Sequence, residues 1–157
     1  MRTVILDDEE PIVRLLSRVC VDEGHQVKGF TSSEEALVYL AAEPVDMLIT
    51  DMNMPGLDGP AVVGKARALQ PNIFVLVITG HSAQYPLDAI LADGTADVMF
   101  KPFHMNELRA RLALAERRQQ WVSKVEREWH ELQAASSRMI DGLEAELQEL
   151  RKPDFIR

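Results

Sequence analysis

The sequence predicts an α/β fold: a doubly wound (βα)5 unit with a central five-stranded parallel sheet, whose last helix runs on well past the sheet. Three observations predict it. Over residues 1–104, short apolar runs rich in β-branched residues alternate with stretches whose apolar positions fall three or four apart. Each strand-like run is followed by a single helix-like stretch, the order that builds a parallel sheet covered on both faces. From residue 105 the chain holds neither Gly nor Pro until Gly142 and reads as continuous helix former.

The elements follow in order. Thr3 to Leu6 is the first strand, and Pro11 to Glu23 the first helix, stopped by Gly24. Cys20 stands four residues after Leu16 on that helix, the place of a buried core thiol rather than a nucleophile. Gln26 to Phe30 makes the second strand. Ser32 followed by Glu35 is a capping box that opens the second helix, Ser33 to Ala42, before Pro44. The third strand is Met47 to Thr50, and the third helix runs from Gly59 to Leu69, ahead of Pro71. Ile73 to Thr79 is the fourth strand, and its unbroken apolar stretch Val75 to Ile78 suits a central position. Pro86 to Asp93 is the fourth helix, ended by Gly94, and Asp97 to Phe100 the fifth strand. The fifth helix packs through Leu108, Leu112 and Ala115.

Charge separates two regions. The chain of 157 residues carries 25 acids and 17 bases, a net −8. Residues 1–104 hold 15 acids and 7 bases, while residues 105–157 hold 10 of each, so the whole surplus belongs to the sheet region. An acidic chain has no electrostatic grip on phosphate backbones or anionic membranes, which argues against direct nucleic-acid or membrane binding. The longest apolar run, Ile73 to Ile78, is far short of the roughly 20 residues of a membrane span. Met1-Arg2-Thr3 opens no secretory leader, and one cysteine forms no internal disulfide. The expected location is cytoplasmic.

Asp7 and Asp8 directly follow the first strand and Asp51 the third. In a doubly wound sheet these are carboxyl ends, where ligands bind. Neighbouring strands would crowd the three carboxylates, and a hard divalent cation, Mg2+, relieves their repulsion. Charge placed at a helix N-terminus would account for Asp7 and Asp8 but not for Asp51. Thr79 and Lys101 also fall at strand ends. A hydroxyl, an ammonium and a metal around one carboxylate form a pocket for a phosphoryl group, because each offsets charge on its oxygens. An acidic loop of this kind would repel a flavin phosphate.

Through Ile5-Leu6-Asp7-Asp8-Glu9, the run from Leu48 to Gly59 with Asp51-Met52-Asn53-Met54-Pro55-Gly56, Val77-Ile78-Thr79-Gly80 and Lys101-Pro102-Phe103, the chain resembles the receiver domain of bacterial response regulators. The resemblance covers residues 1 to 115 and implies the flavodoxin-like fold. It implies that Asp51 is the phosphoryl acceptor and that Asp8, Asp51 and the backbone carbonyl of Asn53 ligate Mg2+, with Asp7 acting through water. Thr79 and Lys101 would contact the phosphoryl oxygens, Thr79 swinging inward. Gly80 would leave room for the group. His81 matches a rim position that tunes phosphoryl lifetime, an exposed loop histidine being the other reading. The donor would be a phosphohistidine on a sensor histidine kinase or phosphotransfer protein. The domain would be no enzyme beyond its own phosphorylation and dephosphorylation, and the signal would leave through the face of the fourth helix, fifth strand and fifth helix. One position departs: three residues before the lysine, where the family commonly has an aromatic that rotates, stands Val98, with Phe100 nearby.

The helical pattern outlasts the receiver. With Val122 as heptad position a, the seam comprises Val122, Val125, Trp129, Leu132, Ser136, Met139, Leu143, Glu146 and Leu150, seven of nine apolar in a chain that is 46% apolar. Such a seam argues for a coiled coil, most simply a parallel dimer. A helix from Met105 to Leu150 would be about 69 Å long. A helical hairpin turning near Ala134 to Ser137 is the alternative; Gly142 weakens a continuous helix, and Ile140 and Leu147 widen the stripe, which suits a bundle of more than two helices. Trp129 lies on the seam and Trp121 flanks it. The expected domains are a receiver at 1–115, a helical extension at 116–152 and a short tail at 153–157.

Two functions follow. One is a phosphorylation-controlled module with a homodimeric tail and a downstream protein partner. The other is a phosphorylation-independent pseudo-receiver scaffold, which the full set of acids with Thr79 and Lys101 opposes and Val98 favours. A phosphohydrolase with an aspartyl nucleophile would need an acid where Asn53 stands.

Overall fold

The structure, a computed structural model, describes residues 1–56, 59–80, 91 and 96–151. Five strands are present: β1 (Arg2–Leu6), β2 (Gln26–Phe30), β3 (Met47–Asp51), β4 (Phe74–Thr79) and β5 (Ala96–Phe100). The helices among the described residues are α1 (Glu10–Asp22), α2 (Ser33–Ala42), α3 (Gly59–Leu69) and α4 (Met105–Leu150). The predicted helix at Pro86 to Asp93, Leu91 apart, lies outside the described residues, as do Leu57, Asp58, His81, Gly94 and the segment 152–157. All strands pair in parallel in the order β2-β1-β3-β4-β5. This is the expected flavodoxin-like doubly wound sheet. β3 reaches one residue further than predicted, because Asp51 keeps a ladder partner in Ile78.

Alternation of side chains along each strand divides the core between two faces. Val4, Leu6, Leu48, Val75 and Val77 pack with Ala36 and Leu40 of α2 and Val62, Val63 and Ala66 of α3. Ile5, Ile49, Leu76, Ile78 and Met99 point to the other face, against Leu16 and Cys20 of α1 and Leu108, Leu112 and Ala115 of α4. Burying each large aliphatic side chain contributes about 1.5–3 kcal/mol. Cys20 is fully buried, and burial pushes its thiol up to about 12. Gly29 of β2 lets α1 approach, since a Cβ there would fall 2.5 Å from Cγ1 of Val13. Ser32 caps α2 as its position predicts, its Oγ accepting from the Glu35 N–H at 3.4 Å.

The chain forms two compact units, Met1–Gln119 and Gln120–Arg157. In the first, α4 is held by Leu108, Leu112 and Ala115. In the second, the described residues are helix up to Leu150, and the helix passes unbroken through Ala134 to Ser137 and Gly142. The hairpin alternative is therefore not the one found. No helix among the described residues is long and apolar enough to cross a membrane.

Candidate functional site

Strand register assembles the site. Leu6 lies opposite Thr50, so the next residues, Asp7 and Asp51, emerge side by side from β1 and β3. Asp51 lies opposite Ile78, which puts Thr79 one step further along β4. Thr79 lies opposite Phe100, so Lys101 leaves β5 beside it, its N–H donating to the Thr79 carbonyl at 2.9 Å. Four neighbouring strands thus deliver three carboxylates, a hydroxyl and an ammonium to one edge.

Their side chains converge. Carboxylate oxygens of Asp7, Asp8 and Asp51 lie within 4.8 Å of one another. Lys101 Nζ donates to Asp7 Oδ2 and to Asp51 Oδ2, both at 3.2 Å. Backbone amides hold the remaining oxygens: Glu9 N–H donates to Asp7 Oδ1 at 2.9 Å and Met52 N–H to Asp51 Oδ1 at 2.7 Å. Asp7, Asp51 and Thr79 are buried, whereas Asp8 and Asn53 are exposed. Burial pushes the Asp7 carboxyl up, against the opposing pull of the Glu9 N–H and Lys101. Burial alone would lower the Lys101 ammonium, but the charges of Asp7 and Asp51 and their hydrogen bonds raise it overall. All three acids offer oxygen, the donor a hard divalent cation takes, and one lysine does not neutralise three carboxylates. The set fits such an ion.

The turn after Asp51 depends on Gly59. A Cβ there would come within 2.6 Å of Met52 Cα and collide with its sulfur, and the Gly59 N–H donates to the Met52 carbonyl at 3.2 Å. Gly80 is less demanding, since a Cβ there would meet only Cβ of Lys101, at 4.0 Å. Val98 is buried, pairs with Val77 and packs on the α2 and α3 side of the sheet. Phe100 is about half exposed.

Two polar connections had no signal in the sequence. His25 is buried between Thr3 and α4: its Nδ1 lies 2.9 Å from Thr3 Oγ1 and its Nε2 3.0 Å from Glu116 Oε1. Burial lowers the imidazole pKa, the N-terminal ammonium lowers it further, and Glu116 and Glu23 oppose. Arg111 of α4 donates to Asp97 at the start of β5 and to Glu107 at 3.3 Å. The links from His25 to Thr3 and Glu116 and from Arg111 to Asp97 join residues 14 to 91 positions apart, which no local pattern encodes.

Comparison with known proteins gives one family. The sequence profile of the response regulator receiver domain matches residues 3–113. The response regulator protein FleR of Pseudomonas aeruginosa is 34% identical over 116 residues, 74% of this chain and 24% of that protein. The C4-dicarboxylate transport transcriptional regulatory protein DctD of Rhizobium meliloti is 30% identical over 139 residues, 88% of this chain and 29% of that one. The chain thus spans less than a third of either relative. Among solved structures, the response regulator protein TrrA of Thermotoga maritima, crystallised with Mg2+ and BeF, aligns with a TM-score of 0.63 at 30% identity, over 73% of this chain and 97% of that one. A receiver domain protein of Methanospirillum hungatei aligns at 0.69 with 22% identity, over 76% and 95%.

Proposed function

The chain belongs to the response regulator receiver domain family, and from that premise we propose that Asp51 accepts a phosphoryl group from a phosphohistidine donor in a Mg2+-dependent reaction. The observation that carries this is the convergence of Lys101 Nζ, at 3.2 Å from both Asp7 and Asp51, with three carboxylates at the strand ends. An Asp51 oxygen forms the new O–P bond while the donor's P–N bond breaks, and its electron pair stays on the imidazole nitrogen. Lys101, already held against Asp51, pairs with a phosphoryl oxygen, and Thr79 receives another. Asp8, Asp51 and the Asn53 backbone carbonyl would hold the ion, with Asp7 behind them fixed by the Glu9 N–H. Bound there, Mg2+ supplies positive charge against the transferring oxygens. Water attack at phosphorus later returns free Asp51.

The donor would be a sensor histidine kinase or a phosphotransfer protein. The signal would leave through β5 and α4, which Arg111 and Asp97 tie together. Val98 brings no ring to that movement. The receiver would end near residue 115, and the extension beyond it would form a homodimeric coiled coil available to a downstream protein partner.

Incubation of the full chain with Mg2+ and a small acyl phosphate, resolved on a phosphate-affinity gel, tests the reading. A retarded band that disappears in Asp51→Ala and without Mg2+ supports it. A chain that folds but never shifts would leave the phosphorylation-independent scaffold in its place.

A further inference from the structure

Beyond Gln120, α4 leaves a long apolar stripe exposed in the single chain, with Trp129 at 59% and Leu150 at 65%. A strict seven-residue repeat puts Glu146 on the seam and leaves Ile140 and Leu147 off it. Another spacing removes that conflict. From Val122 the apolar residues advance by 3, 4 and 3 to Val125, Trp129 and Leu132. From Ile140 they again advance by 3, 4 and 3, to Leu143, Leu147 and Leu150, and Ser136 stands four residues from both Leu132 and Ile140. Two successive steps of four are a four-residue insertion in the heptad pattern, which locally unwinds a coiled coil. Eight of the nine positions on this seam are apolar, Ser136 being the exception.

The spacing is symmetric about Ser136, so it admits a second copy in either direction. Parallel pairing sets each residue on its counterpart, while antiparallel pairing sets Val125 on Leu147 and Trp129 on Leu143. The charges beside the seam separate the two. Antiparallel chains would oppose Glu126 to Glu144 of the second copy and Glu128 to its Glu146, and by symmetry each clash occurs twice. Parallel chains would oppose Glu128 to Gln133 of the second copy and Glu146 to its Arg151, one neutral and one attractive. No flanking pair in the parallel arrangement is of like charge.

We infer that this stripe docks on the tail of a second copy of the chain, parallel and in register, with the seam shifting at Ser136 and the direction set by Glu126, Glu128, Glu144 and Glu146. The inference rests on the dimeric tail proposed above and makes its register definite. It does not depend on phosphorylation of Asp51.

Cysteine crosslinking in the full-length chain tests it. Cys20 is buried, so it does not compete with cysteines placed on the exposed helix. Sedimentation is expected to show twice the 17.7 kDa chain mass. Under mild oxidation, Leu143→Cys and Leu147→Cys should each form disulfide-linked dimers several-fold faster than Glu146→Cys. If Trp129→Cys mixed with Leu143→Cys yields the mixed dimer in preference to either homodimer, the chains are antiparallel and the inference is overturned. Faster linkage through Glu146→Cys than through Leu147→Cys would restore the unbroken heptad and remove the shift at Ser136. A monomer at every concentration would overturn the dimeric tail itself, an outcome distinct from a dimer with the wrong linkage.

Discussion

The two parts of α4 have the same kind of apolar spacing and opposite surroundings. Leu108 and Leu112 are buried against the sheet, while Leu132 and Leu143 are more than half exposed in the single chain. The first set meets a ready surface, Ile5, Ile49, Leu76 and Met99, made by strands far away in sequence. Periodicity therefore specifies a helix and an apolar face but not what covers that face. Charge follows the same division, since the acidic surplus lies in the sheet region, part of it as the strand-end cluster, and the region after residue 104 is balanced.

The comparison breaks most visibly under truncation of matched leucines. Leu112→Ala should cost about 2–5 kcal/mol of unfolding free energy through transfer and cavity terms. Leu143→Ala, followed by urea denaturation at a concentration low enough to separate any dimer, should stay within about 0.5 kcal/mol of the parent. Equal losses would mean that the far stripe packs within one chain.

Mg2+ sharpens the contrast from the other side. An ion held by Asp8 and Asp51 stabilises only the unit that holds it, by about 2.7 kcal/mol at a hundredfold excess over Kd. Calorimetry should show the receiver melting later with Mg2+, and the gain should vanish in Asp8→Ala. A gain that survives in Asp8→Ala would place the ion elsewhere.

His25 ties the near part of α4 to the sheet and makes it acid-sensitive. Burial puts its folded-state pKa below the unfolded value of 6.5, so folding disfavours its protonated form. The associated stability is present above pH 6.5 and is lost as pH falls through the folded-state value. Denaturation at pH 7.5 and 5.5 should show a larger acid loss in the parent than in His25→Gln. Parallel losses would remove His25 as the cause.

The smallest effect lies in the far part. A Cβ at Gly142 meets nothing within 4 Å, so Gly142→Ala should raise helix stability by about 1 kcal/mol, read as a later helical melting transition by circular dichroism. A loss would indicate that the neighbouring chain approaches closely there.

Much of this was legible in the sequence. The five strands and the first three helices fall within a residue or two of the predicted bounds, because each carries its own apolar period and its own stop signal. Asp7, Asp8, Asp51 and Lys101 converge because all stand at carboxyl ends of strands, a rule that needs only strand positions. The link from Thr3 through His25 to Glu116 was not legible, since it depends on which helix covers β1. The hairpin alternative also arose from local signals, Gly142 and the small residues around Ser136. These weaken a helix without breaking it when the flanking residues are strong helix formers.

The most direct test of the central claim locates the phosphoryl group. The full chain is treated with Mg2+ and a small acyl phosphate, the acyl phosphate is trapped by hydride reduction, and the digested protein is mapped by mass spectrometry. Modification is expected on Asp51 alone and only when Mg2+ is present. Modification at another residue, or none in a chain that is folded and bound to Mg2+, would contradict Asp51 as the acceptor.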